Sequence, residues 1–407
     1  MQQPVSTLSV RRLSLAPHRL LFFVGAANLL LAMAWWATWL AGQRIAALAP
    51  ATQPWVYAGW LHAFVMQYQV LPSFMAGFLL TVFPRWMGLP EVPVWRYAPV
   101  GIGLLGGQVA TLLGAMGLAP GLVVGWLMNL AGWLALLVTL GPLLWREKAK
   151  TWHARSCYLA LCLGALGLLA HGAYLFGGSP LWEFASIKIG TFGLLLPIYV
   201  TVAHRMFPFF AGNVVPGYTP WRPLWLLGAF WGLLFLHLCL ELVHGYRWLW
   251  APDLGLLWLS AWTCWRWWPR ARAPGILIAL FIGMAWLPIA FALYSVQSTS
   301  YLLTGVFHLG RAPAHALFIG FFGSVLVAMV TRVTQGHSGL PLRMPGVAWF
   351  AFGTLQLVAI VRVLAEFVHD PLPWNIAAAL GWLLALGPWV ARLGKIYLST
   401  RADGKSG

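Results

Sequence analysis

The feature that most constrains this chain is the repetition of apolar runs about as long as a bilayer is thick. "LLFFVGAANLLLAMAWWATWLAG" (20–42) and "GILIALFIGMAWLPIAFALY" (275–294) are two of them. A hydrocarbon core of ~30 Å is crossed by roughly 20 helical residues. Backbone polar groups find no water there, so a helix or a closed barrel is required. The runs are continuous rather than alternating, which selects helices. Only 8% of the 407 residues are charged and 61% are hydrophobic, against about 25% charged in a soluble domain. A water-facing surface cannot be built from this composition.

Twelve spans are predicted, over 18–41, 57–83, 98–118, 121–144, 155–177, 183–210, 224–245, 249–267, 274–296, 299–332, 345–368 and 374–398. The expected fold is an all-α polytopic membrane protein. One transmembrane domain covers 18–398, between a short N-terminal segment (1–17) and a tail (399–407). No secretory signal is expected, because polar residues 1–17 lead straight into a full-length span. The formal charge of +17 is topological. With the N-terminus inside, the cytoplasmic segments hold 20 of the 25 basic residues. Among them are Arg11, Arg12, Arg19, Arg85, Arg146, Lys148, Arg270, Arg401 and Lys405. This positive-inside pattern puts both termini in the cytoplasm. The partner for the charges is then the lipid bilayer with its anionic headgroups, and nucleic acid is excluded as a partner.

Spans 2, 6 and 10 end alike, in "LLTVFPRWMGLP", "YVTVAHRMFPFFAG" and "AMVTRVTQGHSGLP". Lys188 and His315 each stand 17 residues before the arginine of their span. A threefold pseudo-repeat of four-helix units is the expectation. Pro72, Pro197, Pro288 and Pro313 interrupt or flank apolar runs and free backbone carbonyls that need other partners. Cys157, Cys162, Cys239 and Cys264 form no CxxC pair and read as small core residues.

Histidine carries the chemical information. On this topology His62, His171, His237, His244, His308, His315 and His369 gather at the outer side, seven of the eleven. A single imidazole serves equally well to hydrogen-bond a helix carbonyl. A set gathered at one depth points instead to a shared site, because intramembrane imidazoles usually face the bundle interior and bind metals and haem iron. His237 and His244 share a seven-residue spacing on span 7, as do His308 and His315 on span 10. Glu241 and Glu366 are candidate partners that would orient imidazoles.

Three stretches resemble the NnrS family of bacterial haem- and copper-containing membrane proteins. They are "HAFVMQYQVLPSFMAGFLLTVFPRWMG", "VAHRMFPFF" and "APAHALFIGFFGSVLVAMVTRVTQGHSGLPL". The family pattern falls on His62, Arg205, His315, Arg332, Gly336, His337 and Gly339. Two features depart from it. The family's His-x-His-Glu near the start of span 2 reads His62-Ala63-Phe64-Val65, and its Gly-Gly-Arg reads Ala203-His204-Arg205. The chain is thus expected to be a divergent member, with haem b and, as a further cofactor, copper.

The resemblance implies a bacterial inner-membrane protein of nitric oxide metabolism or nitrosative-stress defence, beside denitrification. Its ligand would be nitric oxide or another small diatomic, with a redox partner if it acts as an oxidoreductase. His62 and His315 are the first candidates for axial ligands. His244 and His308 are alternative haem ligands, and His237 and His171 are copper candidates. Gly336-His337-Ser338-Gly339 reads as a structured helix exit, remote from any metal that His315 holds. Two other classes stay open: a multi-span permease of a small solute, and a non-catalytic assembly or sensor subunit.

Overall fold

In the computed structural model the described residues are 8–48, 55–147 and 150–404. Residues 1–7, Lys148 and Lys405, which figured in the charge pattern, lie outside them. The described chain is helical throughout. Eleven helices are long and apolar enough to cross a membrane: α1 Pro17–Gly42, α2 Ala58–Met87, α3 Val94–Ala115, α4 Pro120–Arg146, α5 Trp152–Leu175, α6 Pro180–Val214, α7 Leu224–Leu242, α9 Gly275–Thr304, α10 Ala312–His337, α11 Gly346–Phe367 and α12 Leu372–Tyr397. The expected eighth span is also a helix, α8 Trp250–Trp267. It falls short on hydropathy because tryptophans replace aliphatic residues and because it holds Asp253 and Arg266. The chain is a polytopic membrane-helical protein, as its apolar runs required.

Contacts divide the chain into two compact units. The first comprises Met1–Gly190, Val333–Leu342 and Leu386–Gly407, the second Thr191–Arg332 and Arg343–Ala385. In the first, α3 and α4 approach through glycine. A Cβ added at Gly103 would lie 2.5 Å from the Cα of Gly132, and one at Gly121 would lie 2.6 Å from the backbone nitrogen of Gly114. Small residues of this kind let helix backbones touch where lipid supplies no hydrophobic drive between helices.

The three helices with similar endings share a local device. α2, α6 and α10 each contain a π-helical segment, at Met66–Val70, Ile189–Leu195 and Ala316–Gly323. No other described helix contains one. Lys188 and His315 stand immediately before two of the three. π-Helix accounts for well under 1% of residues in ordinary proteins, so a segment in each of these three helices is a shared local feature, with those of α6 and α10 starting at the same distance before their arginines. These helices are also the most enclosed, with 94%, 72% and 78% of their most apolar windows buried. In α2 the wide turn prepares for Pro72. The N–H of Leu71 reaches back to the carbonyl of Met66. The indole of Trp133 donates to the carbonyl of Tyr68 at 3.1 Å, the acceptor that a residue with an N–H at position 72 would have used.

Two expected boundaries are corrected. α9 continues to Thr304 and stops at Gly305, whose φ of 75° is the left-handed cap suited to glycine. α10 therefore starts at Ala312, and His308 lies in the connection before it rather than on span 10. α7 ends at Leu242, so His244 follows the helix, with φ of 55°. The seven-residue spacings His237/His244 and His308/His315 thus do not place those pairs on one helix face.

Gly103→Ala is expected to destabilise the protein by about 1–3 kcal/mol through overpacking, read as a lower melting temperature in detergent. Gly228→Ala, whose Cβ would meet nothing within 4 Å, is expected to leave it unchanged.

Candidate functional site

Six of the seven histidines of the outer set fall into two chemical situations, and the seventh, His369, is exposed. His171 and His237 are buried and paired with acids. His62, His244, His308 and His315 are more open and are held by neutral groups.

In the first unit, α5 and α6 form a hairpin whose turn brings His171 against Glu183. Ser179 caps α6 by accepting from the N–H of Leu181, and Glu183 is the fourth residue of that helix. The Nδ1–H of His171 donates to Oε2 of Glu183 at 2.6 Å, and both side chains are at most 2% exposed. The imidazole lies face to face with Phe64 of α2, with centroids 3.6 Å apart and planes 14° apart. In the second unit, α7 and α8 repeat the arrangement. Asp253, again the fourth residue of its helix, accepts from Nδ1–H of His237 at 2.7 Å. Phe192, in the π segment of α6, stacks on that ring at 3.8 Å and 24°. Oε1 of Glu241 lies 3.5 Å from Nε2 of the same histidine.

Because Glu183 accepts at Nδ1, a neutral His171 ring carries its lone pair on Nε2, whereas Nε2 of His237 faces a second carboxylate, Glu241. Metal-binding histidines are commonly held this way, with a carboxylate or carbonyl fixing tautomer and plane. His315 shows the carbonyl version, its Nδ1–H donating to the carbonyl of Arg311 at 2.9 Å. His62 is fixed by its plane, stacked on Trp36 with centroids 4.4 Å apart and 11° between rings. His308 contacts Ser300 Oγ at 2.7 Å and His244 contacts the Tyr246 hydroxyl at 2.6 Å, both at exposed positions. Among the described residues, no group of three or more His, Cys, Asp and Glu side chains is arranged to hold a metal ion.

Glu183 and Asp253 were not singled out from the sequence as partners. The signal was available. Each is a lone acid just inside the start of a span, 12 or 16 residues after a histidine near the end of the preceding span. Partners sought at i±4 on one helix miss a contact across a hairpin. Of the acids that were singled out, Glu241 faces His237, while Glu366 pairs with Arg362 at 2.6 Å.

The sequence profile of the family described as NnrS protein matches residues 12–401. The chain belongs to the NnrS family. No curated protein matches it. The guanidinium of Arg332 sits 3.8 Å over the ring of Phe210, a cation–π contact. The carbonyl of Arg205 accepts from Arg222 at 3.1 Å.

The Gly-His-Ser-Gly turn closes α10. The N–H of Leu340 reaches the carbonyl of Gln335 at 3.0 Å around Gly339, whose φ is 68°, a Schellman-type exit. The N–H of Ala402 donates to the carbonyl of Ser338, and a Cβ at Gly339 would lie 2.6 Å from Cγ of Asp403. His337 packs on His18 with ring centroids 4.3 Å apart. Arg19 and Arg12 donate to the carbonyls of Tyr397, Ser399 and Leu398, closing the end of α12. The turn is a structured helix exit that holds both ends of the chain.

Removing one partner of a buried pair strands the other. Glu183→Ala and Asp253→Ala are each expected to destabilise the protein by roughly 3–5 kcal/mol, measured by thermal unfolding in detergent. Gly339→Val should loosen the tail through its positive φ and its contact with Asp403, seen as faster proteolytic removal of residues after Ser399.

Proposed function

We propose that this NnrS-family chain is a haem-binding protein of the bacterial inner membrane that acts in nitric oxide metabolism or nitrosative-stress defence. The observation that carries the reading is the imidazole set prepared at Nδ1. His315 is fixed by the Arg311 carbonyl and His171 by the Glu183 carboxylate, so that in the neutral ring Nε2 keeps the lone pair a metal requires; His237 is fixed by Asp253, with Glu241 beside its Nε2. His62, in the first unit, and His315, in the second, are the residues we assign first as haem ligands, each considered within its own unit. A bound haem b would supply an iron that takes nitric oxide or another small diatomic. His171 and His237 suit copper, with Glu183 and Asp253 holding their rings in place.

The chain's own contribution is orientation and enclosure. Phe64 and Phe192 cover the faces of the two buried rings, and the flat face of Trp36 covers His62. Burial excludes water, which strengthens each histidine–carboxylate contact. The side-dependent charge of the loops supports a cytoplasmic location for both termini. An oxidoreductase role would draw electrons from a redox partner.

The test is the visible spectrum and metal content of the full-length protein purified from a haem-replete host. A Soret band with bound iron is expected. His62→Ala and His315→Ala should each weaken or shift the band. A colourless protein without iron or copper overturns the reading in favour of a permease. A normal band in both variants overturns the ligand assignment alone.

A further inference from the structure

The core of the first unit holds a second group of polar side chains, distinct from the histidines. Asn28 on α1, Gln69 and Ser73 on α2, Gln108 and Thr111 on α3, and Asn129 on α4 are each at most 2% exposed. Each lies well inside a membrane-crossing helix. Gln69 belongs to the π segment of α2, a type of turn that recurs at functional sites.

Hydrogen bonds link the group through three helices. Nε2 of Gln108 donates to the carbonyl of Asn28 at 2.5 Å. Nδ2 of Asn28 donates to the carbonyl of Leu104 at 3.2 Å and to Oγ of Ser73 at 3.3 Å. The Ser73 hydroxyl donates to the carbonyl of Gln69 at 2.6 Å. Nε2 of Gln69 donates to Oγ1 of Thr111 at 3.0 Å, and that hydroxyl donates to the carbonyl of Gly107 at 2.8 Å.

These bonds fix which way each amide points. The Leu104 and Asn28 carbonyls can only accept, so nitrogen faces them. Both hydroxyl protons are spent on backbone carbonyls, so the hydroxyl oxygens accept from the amides. What is left over in the linked group is acceptor capacity, while Asn129 beside it also leaves an amide nitrogen unpaired. Among the described residues, no donor reaches Oδ1 of Asn28, Oε1 of Gln69 or Oε1 of Gln108, and neither side-chain atom of Asn129 has a hydrogen-bond partner. A buried carbonyl oxygen without a donor costs roughly 1–3 kcal/mol, and here several occur together.

A cluster of uncharged oxygens suits a hard cation, because soft and borderline metals select nitrogen and sulfur. No carboxylate belongs to the cluster, so a divalent ion would stay uncompensated in an apolar bundle. Rings of neutral carbonyl oxygens are the means by which membrane proteins hold monovalent ions. From this geometry we infer that Asn28, Gln69 and Gln108 form a binding site for a monovalent cation, sodium. The site is independent of haem and of the histidines.

The experiment measures equilibrium binding of ²²Na⁺ to the purified full-length protein, with choline chloride holding ionic strength constant. Saturable binding of about one ion per chain is expected, displaced by unlabelled sodium chloride. Gln69→Met and Gln108→Met remove the oxygens while keeping side-chain length, and each should weaken binding at least tenfold. In parallel, wild-type melting temperature should be higher in sodium chloride than in choline chloride, since an ion that binds only the folded state stabilises it. That measurement stands even if a variant does not fold. Binding that does not saturate, equal melting in the two salts, or undiminished binding in folded variants overturns the inference. The oxygens would then be held by water. The Soret spectrum reads the haem proposal separately.

Discussion

A polar group buried in hydrocarbon has no water to turn to, and leaving it unpaired costs several kcal/mol. The internal arrangement of this chain follows from that cost. It makes every span a helix. It also governs the places where helices depart from regularity. The carbonyl of Tyr68, released by Pro72, is taken by the indole of Trp133. The last carbonyl of α12 and the two that follow it are closed by Arg19 and Arg12. The end of α10 is closed by a left-handed glycine and a backbone bond from the tail.

The same constraint shapes the titratable groups. His171 and His237 are nearly sealed from solvent, and each is held by a carboxylate from the next helix and by a phenylalanine face. These three-part assemblies arise once in each unit. Each fixes the plane of an imidazole and holds its Nδ1 on a carboxylate. The amide cluster around Asn28, Gln69 and Gln108 applies the opposite chemistry, oxygen acceptors without charge. The first unit alone, with His171 and the amide cluster, therefore offers two distinct kinds of ligand environment.

Much of the fold was legible because the bilayer sets a length scale. The span limits expected from apolar runs lie close to the helices at Pro17–Gly42, Pro120–Arg146 and Leu372–Tyr397. The limits failed where apolarity continues past a helix end. Val306 and Phe307 read as span, yet Gly305 stops α9, which moves His308 into a turn. Leu242 and Val243 read alike, but α7 ends between them, which releases His244. α8 was legible by its position and length although its tryptophans lower its hydropathy. The helices with similar endings, α2, α6 and α10, are also the ones that contain a π segment. The π segments and the enclosure of these helices leave no pattern in hydrophobicity.

The sequence by itself determined the class, an all-helical membrane bundle of the NnrS family, and the residue types available for chemistry. Those follow from composition, run length and motif, which are local properties. Tertiary structure alone decided which of the histidines are sealed and which acids hold them. Glu183 and Asp253 meet their histidines across hairpins, where the contact depends on how two helices pair. It also decided that Asn28, Gln69 and Gln108, far apart in the chain, share one polar core, because only packing brings three helices to a common depth and face.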